Sequence, residues 1–284
     1  MLPLDLESLR RWIGRTDTGF DIASPAAAAL LAATLNRHSA PKEGDPLPLT
    51  WHWLYFLPPT ASNDLGEDGM PRRGGFMPPV SLPRRMWAGS RIELREPIRL
   101  GDRLHRRTTI ADVTAKDGRS GALVFVRVVT ELATERGTAL IERRDVVFRD
   151  HPSPTDPAPR PQAPPKDAPM WREEASAGPV LLFRYSALTF NAHRIHYDEM
   201  YATKVEGYPG LVVQGPLLAT LLAESLDNHV SSARIGAITF RAVGAVFAEE
   251  RFTIAGKSDS HKAMAWAVAT GDNRMAMTAE AEIE

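Results

Sequence analysis

Apolar and polar residues alternate along much of this chain, and a period of two residues is typical of strands with one buried face. Turn residues separate the alternating segments, as in 116–119 (KDGR) and 271–273 (GDN). The strands predicted in this way are Thr50–Leu57, Arg91–Arg99, Leu104–Thr114, Ala122–Leu132, Ala139–Arg149, Val180–Ser186, Ala233–Arg241, Arg251–Lys257, Lys262–Thr270 and Met275–Ile283.

Three other segments are predicted to be helices: Leu4–Ile13, Ser24–Asn36 and Pro216–Asp227. Ser24 and Pro25 are a good cap and first residue, because proline lacks the N–H that has no acceptor at a helix start. The third helix is apolar nearly all round, which is typical of a buried helix. Each half of the chain thus has a helix followed by a run of strands, without βαβ alternation. We therefore predict an antiparallel α+β fold.

A proline-rich segment divides the chain. Eight of the twenty residues in 151–170 are proline, a density that excludes a helix or a ladder strand and predicts an extended linker. The predicted units are residues 1–150 and residues 171–284.

Composition narrows the possible functions of this chain. It has 284 residues, a net charge of −1 and no cysteine. Without cysteine there is no disulfide, no thiolate metal ligand and no cysteine nucleophile. The balanced, dispersed charge argues against nucleic-acid and membrane-surface binding. The start lacks the pattern of a secretory signal, and the longest apolar run is too short to span a bilayer, so we expect a cytoplasmic protein.

Two segments carry the candidate chemistry. Residues 185–198 read YSALTFNAHRIHYD, and residues 209–216 read PGLVVQGP just before the apolar helix. His196 can exchange protons near neutral pH, and Asp198 is a candidate to orient an imidazole. Gly215 at a helix start offers an unpaired N–H to a developing oxyanion. A proton-transfer group and an anion-stabilising group are what hydration of an enoyl thioester needs.

These segments resemble the signature of the hydratase-2 (MaoC-like) enoyl-CoA hydratases, which usually reads Tyr-Ser-x-x-Ser/Thr-Gly-Asp-x-Asn-Pro-x-His. In this alignment Asn191 falls on the family aspartate and His196 on the catalytic histidine. His193 falls on the usual asparagine and Phe190 on the usual glycine. Residues 214–215 (QG) fall on the family His-Gly. Residues 82–89 (LPRRMWAG) and 118–121 (GRSG) resemble the double hot-dog subgroup that acts on mesaconyl-CoA and similar branched diacid thioesters.

The resemblance implies a double hot-dog fold, with two antiparallel sheets each wrapped around a central helix. It implies a hydro-lyase acting on an acyl-CoA, mesaconyl-4-CoA or itaconyl-CoA going to citramalyl-CoA, with no cofactor, no metal and a possible homodimer. Because Asn191 cannot ionise, a histidine-centred mechanism is favoured. The candidate catalytic residues are His196, Gly215 and Asn191, whose amide can orient the water by accepting one hydrogen bond and donating another. The candidate substrate-binding residues are Arg84, Arg85, Arg184, His193, Arg194, Gln214 and Arg241.

Several alternatives stay open at this point. The N-terminal half has only isolated histidines, so we interpret it as a non-catalytic unit that widens the acyl pocket. His193 and His196 also have the spacing of a metal pair, but no matched third ligand is present. Trp87 either lines a substrate tunnel or belongs to the core. A 3-hydroxyacyl-[acyl-carrier-protein] dehydratase, an acyl-CoA thioesterase and a non-catalytic acyl-CoA binding protein are the rival functions.

Overall fold

A computed structural model of the chain describes residues 5–119, 121–151, 153, 161–230 and 235–284. The α-helices are α1 (Leu6–Arg10), α2 (Pro25–Thr34), α3 (Pro179–Leu188) and α4 (Gly215–His229). The strands are β1 (Thr16–Ile22), β2 (Arg84–Leu94), β3 (Arg103–Gly118), β4 (Gly121–Thr134), β5 (Gly137–Arg149), β6 (Trp171–Ser176), β7 (Ile235–Ala242), β8 (Arg251–Ser258), β9 (Lys262–Ala269) and β10 (Arg274–Ile283).

All ten of these strands form one antiparallel sheet, in the order β1-β3-β4-β5-β2-β7-β10-β9-β8-β6. Five strands come from each half of the chain. The halves meet where β2 pairs with β7, from Gly89 opposite Arg241 to Glu93 opposite Ala237. The two sheets of the predicted double hot dog are therefore continuous, edge to edge.

The helix α4 packs against β8, β9 and β10 of the C-terminal half and against β2 of the N-terminal half. Its apolar residues are buried on most sides, as predicted from the sequence. The shorter α2 contributes to the same hydrophobic core, which crosses the junction between the halves. Buried members of this core include Ala28, Leu31, Ile92, Leu140, Leu217, Leu222, Ile238 and Phe240.

Two of the predicted strands are wrong. Residues 51–54 form a 3₁₀ turn (Trp51–Leu54) and not a strand. The apolar side chains of this segment are present because they pack in the core, where Trp51 is fully buried. Residues 180–186 belong to α3, where Leu182, Tyr185 and Ser186 are buried at helical spacing while Val180 and Phe183 are exposed. Because Val180 and Phe183 are apolar although exposed, the apolar residues of this segment do not show the 3.6-residue period of a helix.

The proline-rich segment is described only at His151, Ser153 and residues 161–170, and this part has no helix or strand. Its end is fixed to the C-terminal half, where Met170 N donates to Gly256 O at 2.7 Å. The other residues of 151–170, and Ser120 of the 118–121 segment, lie outside the described residues. In the described part of the chain, no helix has the length and hydrophobicity needed to cross a bilayer.

Candidate active site

The two segments singled out in the sequence lie against each other. After α3, the chain turns through residues 189–193 into a short 3₁₀ turn (Arg194–His196). Val212 N, in the second segment, donates to Ile195 O at 2.9 Å. Phe190 has φ of +49°, a left-handed conformation that suits glycine, the residue usual at this position in the resembling family. The loop thus has, at Phe190, the left-handed backbone conformation that the glycine of the family signature favours.

The imidazole of His196 is buried and held by a main-chain carbonyl. Its Nδ1 lies 2.7 Å from Val212 O. Because a carbonyl only accepts, Nδ1 carries the proton and Nε2 has the free lone pair in the neutral ring. Burial lowers the pKa of His196 to about 4, although the bond to Val212 acts in the opposite direction. His196 is therefore a neutral base at pH 7.

A second imidazole lies beside it. The rings of His193 and His196 have centroids 5.4 Å apart and are nearly perpendicular. Nε2 of His193 is buried and has no hydrogen-bond partner among the described residues. Burial lowers the pKa of His193 well below its usual value, and the charges of Arg85 and Arg84 lower it further. Asn191 Oδ1 accepts from His193 N at 3.1 Å, so the amide shapes the loop that presents both rings.

The start of α4 lies three residues beyond the carbonyl that holds His196. Gly215 is the first residue of α4, where a helix leaves its N–H groups without intrahelical acceptors and has a partial positive charge. The ring of Trp87 covers this glycine, and a Cβ at residue 215 would lie 2.8 Å from Trp87 Cε3. Only glycine fits here without displacing the ring. The helix start can thus stabilise an anionic oxygen.

Gln214 connects α3 to the start of α4. It is fully buried, and its Nε2 donates to Leu182 O and to Ser186 Oγ, each at 2.9 Å. Its Oε1 is buried without a partner among the described residues. The residue was predicted to bind substrate, but its amide N–H groups bind the protein, which leaves only Oε1 for a ligand.

Two predicted arginines border the site as buried ion pairs. Arg84 Nε lies 2.6 Å from Glu206 Oε2, and its guanidinium stacks over Tyr208. Arg85 Nε lies 2.8 Å from Asp68 Oδ2, without the alignment of a hydrogen bond. Their side chains are only 6% and 12% exposed. Since each charge already has a buried partner, these arginines join β2 to the loops around the site.

The remaining predicted arginines are not brought to the imidazoles. Arg194 binds Asp198 Oδ2 through Nη2 at 2.6 Å, within its own loop. Arg184 is exposed on α3. Arg241 is exposed on β7, and because the neighbouring Phe240 faces the core, Arg241 points away from α4. Arg184 and Arg241 were predicted to bind substrate because they lie in or near the segments that resemble the family, but helix and strand geometry turn them outward.

Sequence reasoning missed the group that orients His196. Asp198 was the candidate, but it pairs with Arg194 and accepts from Tyr201 N at 3.0 Å. The carbonyl of Val212 takes this role in the structure. No side-chain pattern could have revealed it, since every residue has a carbonyl.

Comparison with known families agrees with this geometry. Residues 50–248 match the family described as hydroxyacyl-thioester dehydratase type 2 (Htd2). The chain belongs to this family. The resemblance to MaoC-like hot-dog enzymes is thereby confirmed, and the protein is a hydro-lyase, as the sequence motif predicted. Hydration or dehydration of an acyl thioester is the reaction class of this Htd2 protein.

Two curated relatives are similar to this Htd2 protein. A mesaconyl-C(4)-CoA hydratase of Chloroflexus aurantiacus is 47% identical over 238 residues, which cover 83% of this chain and 84% of the relative. A mitochondrial hydroxyacyl-thioester dehydratase type 2 of Schizosaccharomyces pombe is 61% identical over 46 residues, which cover 16% of this chain and 15% of the relative.

Solved structures confirm the fold. HtdX of Mycobacterium tuberculosis superimposes with a TM-score of 0.69 at 18% identity, covering 94% of this chain and 99% of HtdX. A MaoC-like dehydratase of Phytophthora capsici gives 0.68 at 17% identity, covering 99% of each chain. Another Mycobacterium tuberculosis protein, described as having a double hotdog fold, gives 0.59 at 11% identity, covering 99% of this chain and 98% of that protein.

Proposed function

We propose that the protein is an enoyl-CoA hydratase that adds water to a branched dicarboxylic thioester, mesaconyl-4-CoA, to give citramalyl-CoA. Itaconyl-CoA is the isomer whose double bond is not conjugated with the thioester, so it must isomerise to mesaconyl-4-CoA before the same chemistry can act on it. One observation carries the proposal: Val212 O fixes the neutral tautomer of His196 three residues before the helix start at Gly215. The 47% identity to the Chloroflexus aurantiacus hydratase supports the acyl group.

The proposed reaction moves one proton through His196. Nε2 accepts a proton from water while the water oxygen bonds to the β-carbon of the enoyl group. The π electrons move to the α-carbon and the thioester carbonyl, and the Gly215 N–H stabilises the resulting enolate oxygen. His196 then returns the proton to the α-carbon. Its lowered pKa makes protonated His196 a strong acid for this second step.

Neighbouring polar groups hold the water in this proposal. The ring of His193 lies 5.4 Å from that of His196, and its unpartnered Nε2, in a neutral ring, forms one hydrogen bond to the attacking water. Asn191 uses Oδ1 within the loop, which leaves its NH₂ group for a second contact. Neither group needs to ionise, so the mechanism is centred on one histidine.

The N-terminal half, residues 1–150, has the role of a non-catalytic unit in this proposal, joined through residues 151–170 to the catalytic unit, residues 171–284. It supplies Trp87 over Gly215 and the ion-paired Arg84 and Arg85. Its buried His52 binds Glu142, and no second histidine among the described residues lies beside it as His193 lies beside His196. The N-terminal half thus shapes a pocket whose chemistry comes from the other half.

A second candidate is the reverse reaction, dehydration of a 3-hydroxyacyl thioester carried by CoA or by an acyl-carrier protein. The match of residues 50–248 to a dehydratase family favours it. Because the same groups would catalyse both directions, the substrate and not the site distinguishes the two functions.

The test is the loss of absorbance of the conjugated enoyl thioester when the protein is mixed with mesaconyl-4-CoA or crotonyl-CoA; with itaconyl-CoA, whose double bond is not conjugated with the thioester, formation of citramalyl-CoA is measured instead. Free thiol is measured in parallel. Rapid loss with mesaconyl-4-CoA and no free thiol is the expected result. Release of free thiol would establish a thioesterase instead. Tight binding of every thioester without any change would establish an acyl-CoA binding protein.

A further inference from the structure

A buried glutamate organises a polar cluster on the inner face of the N-terminal half. Glu142 on β5 is only 2% exposed. Its carboxylate accepts hydrogen bonds from His52, Trp53 and Ser90 and from the guanidinium of Arg144. Burial opposes ionisation of Glu142, but Arg144 and His52 outweigh it and hold its pKa below the usual value. Such a fully paired carboxylate holds the groups around it in one geometry.

The guanidinium of Arg144 is fixed along one edge and open along the other. Nε and Nη2 each lie 3.1 Å from an oxygen of Glu142. Nη1 has no partner among the described residues. The side chain is 36% exposed although it lies on the inner face of the sheet, and it stacks over Trp53. The open edge, Nη1 with the second N–H of Nη2, fits a carboxylate through two parallel hydrogen bonds.

Arg144 lies on the same face of the sheet as the ring that covers Gly215. Trp87 is opposite Val146 on β5, and Arg144 is two residues away on the same face, about 7 Å along the strand. The ring of Trp53 lies 6.4 Å from that of Trp87 and 5.7 Å from the guanidinium of Arg144. The spacing of about 7 Å along β5, from Arg144 to the residue opposite Trp87, is comparable to the length of a short dicarboxylic acyl group.

The charge of Arg144 also reaches the motif helix α3. Burial raises the pKa of Tyr185, and the charges of Arg144 and Glu142 then act on it in opposite directions. Tyr185 is buried in the same core as α4, and this core has residues from both halves. The cluster therefore faces the interior between the halves, where the acyl group would lie.

We infer that Arg144, clamped by Glu142, is the residue that binds the free carboxylate of the acyl group and gives the enzyme its preference for dicarboxylic thioesters. This inference rests on the proposed function. The arginines near the motif are poorer candidates, because Arg84 and Arg85 are buried against their own carboxylates. Arg144 is pre-organised, partly exposed and has a free bidentate edge.

The experiment compares Arg144→Gln with the unmodified enzyme on mesaconyl-4-CoA and on crotonyl-CoA, which has the same CoA but no free carboxylate. We expect kcat/KM for the diacid to fall about 100-fold, mainly through KM, as two charge-assisted hydrogen bonds are lost. Activity on crotonyl-CoA should stay within about threefold. Arg144→Lys keeps the charge and the pairing with Glu142 but lacks the planar pair of N–H donors. Its kcat/KM should therefore fall about tenfold for the diacid and not for crotonyl-CoA.

Arg143→Gln is the matched control, because Arg143 is the next residue on β5, faces the opposite side and pairs with Glu93. Its substrate preference should not change. Equal losses of Arg144→Gln on both thioesters would overturn the inference, since Arg144 would then hold the CoA or the fold. Unchanged kinetics would overturn it too. If the unmodified enzyme hydrates crotonyl-CoA but not the diacid, the dicarboxylic substrate given under the proposed function is wrong.

Discussion

At the scale of single residues, one main-chain hydrogen bond decides which nitrogen of His196 is basic. The bond to Val212 O places the proton on Nδ1, and burial keeps the ring neutral. The sequence could predict His196, since a motif of side chains marks it. It could not predict Val212, nor that Arg241 points outward, because carbonyl positions and strand faces depend on the folded register.

Replacing His196 tests the proposed proton transfer. We expect His196→Ala to lower kcat for enoyl thioester hydration by about 1,000-fold, with little change in binding, because loss of a general base typically costs two to four orders of magnitude. His38→Ala is the control, since His38 is exposed. Retention of full activity by His196→Ala would show that another group transfers the proton.

Burial of His196 predicts a pH-dependent stability. Its pKa is near 6.5 unfolded and about 4 folded, so between these values the unfolded chain binds the extra proton. The contribution of neutral His196 to the free energy of unfolding is therefore fully present above pH 6.5. It is lost as the pH falls towards 4 and amounts to about 3 kcal/mol.

The measurement for this prediction is urea unfolding at several pH values, with His196→Gln for comparison. The variant should lose less of its free energy of unfolding between pH 7 and pH 4, because it lacks the titrating ring. Parallel curves for the two proteins would mean that the pKa of His196 is not lowered by folding.

At the scale of elements, alternation of apolar residues predicted most central strands well, because their inner faces are buried. It misplaced β2, predicted at Arg91–Arg99 and observed at Arg84–Leu94. It missed the edge strands β1 and β6, whose residues are mostly exposed or only half-buried and so leave a weak hydrophobic signal. It misread α3, where the continuous apolar run at 180–183 resembles a buried strand. The glycine and proline at the start of α4 did predict that helix and the position of the proposed oxyanion site.

The close fit at the start of α4 predicts a large effect from one methyl group. Gly215→Ala would place a Cβ 2.8 Å from the ring of Trp87, so either the ring or the helix start must move. We expect a loss of about 100-fold in kcat as the N–H shifts from the enolate oxygen.

Gly210→Ala is the matched control for this substitution, because a Cβ there meets open space in the same segment. It should keep nearly full activity. Equal activity of the two variants would exclude the Gly215 N–H as the stabilising donor.

At the scale of the whole molecule, the junction of β2 with β7 makes the two halves interdependent. Arg91 Nη1 crosses it, lying 3.2 Å from Thr239 Oγ1 and 2.8 Å from Glu282 Oε1. The proline-rich segment predicted two units, but the sequence could not show that their sheets are continuous, because pairing between distant strands leaves no local pattern. Trp87 then reaches Gly215 across this junction.

A chain limited to residues 171–284 should therefore be inactive. It would lack Trp87 and would expose the edge of β7, which promotes association of strands. We expect this fragment to aggregate, and co-expression with residues 1–160 to restore hydration of the thioester, measured by absorbance. An active, monomeric fragment would show that the catalytic unit is self-sufficient.

The carbonyl of Val212 has a consequence for how this protein tolerates change. A library that replaces every side chain in turn would rate position 212 by the packing of valine alone, since all twenty amino acids retain the oxygen that binds His196. The most important partner of the imidazole is thus hidden from genetic scanning. Replacing one amide by an ester, which weakens that oxygen as an acceptor, would reveal it.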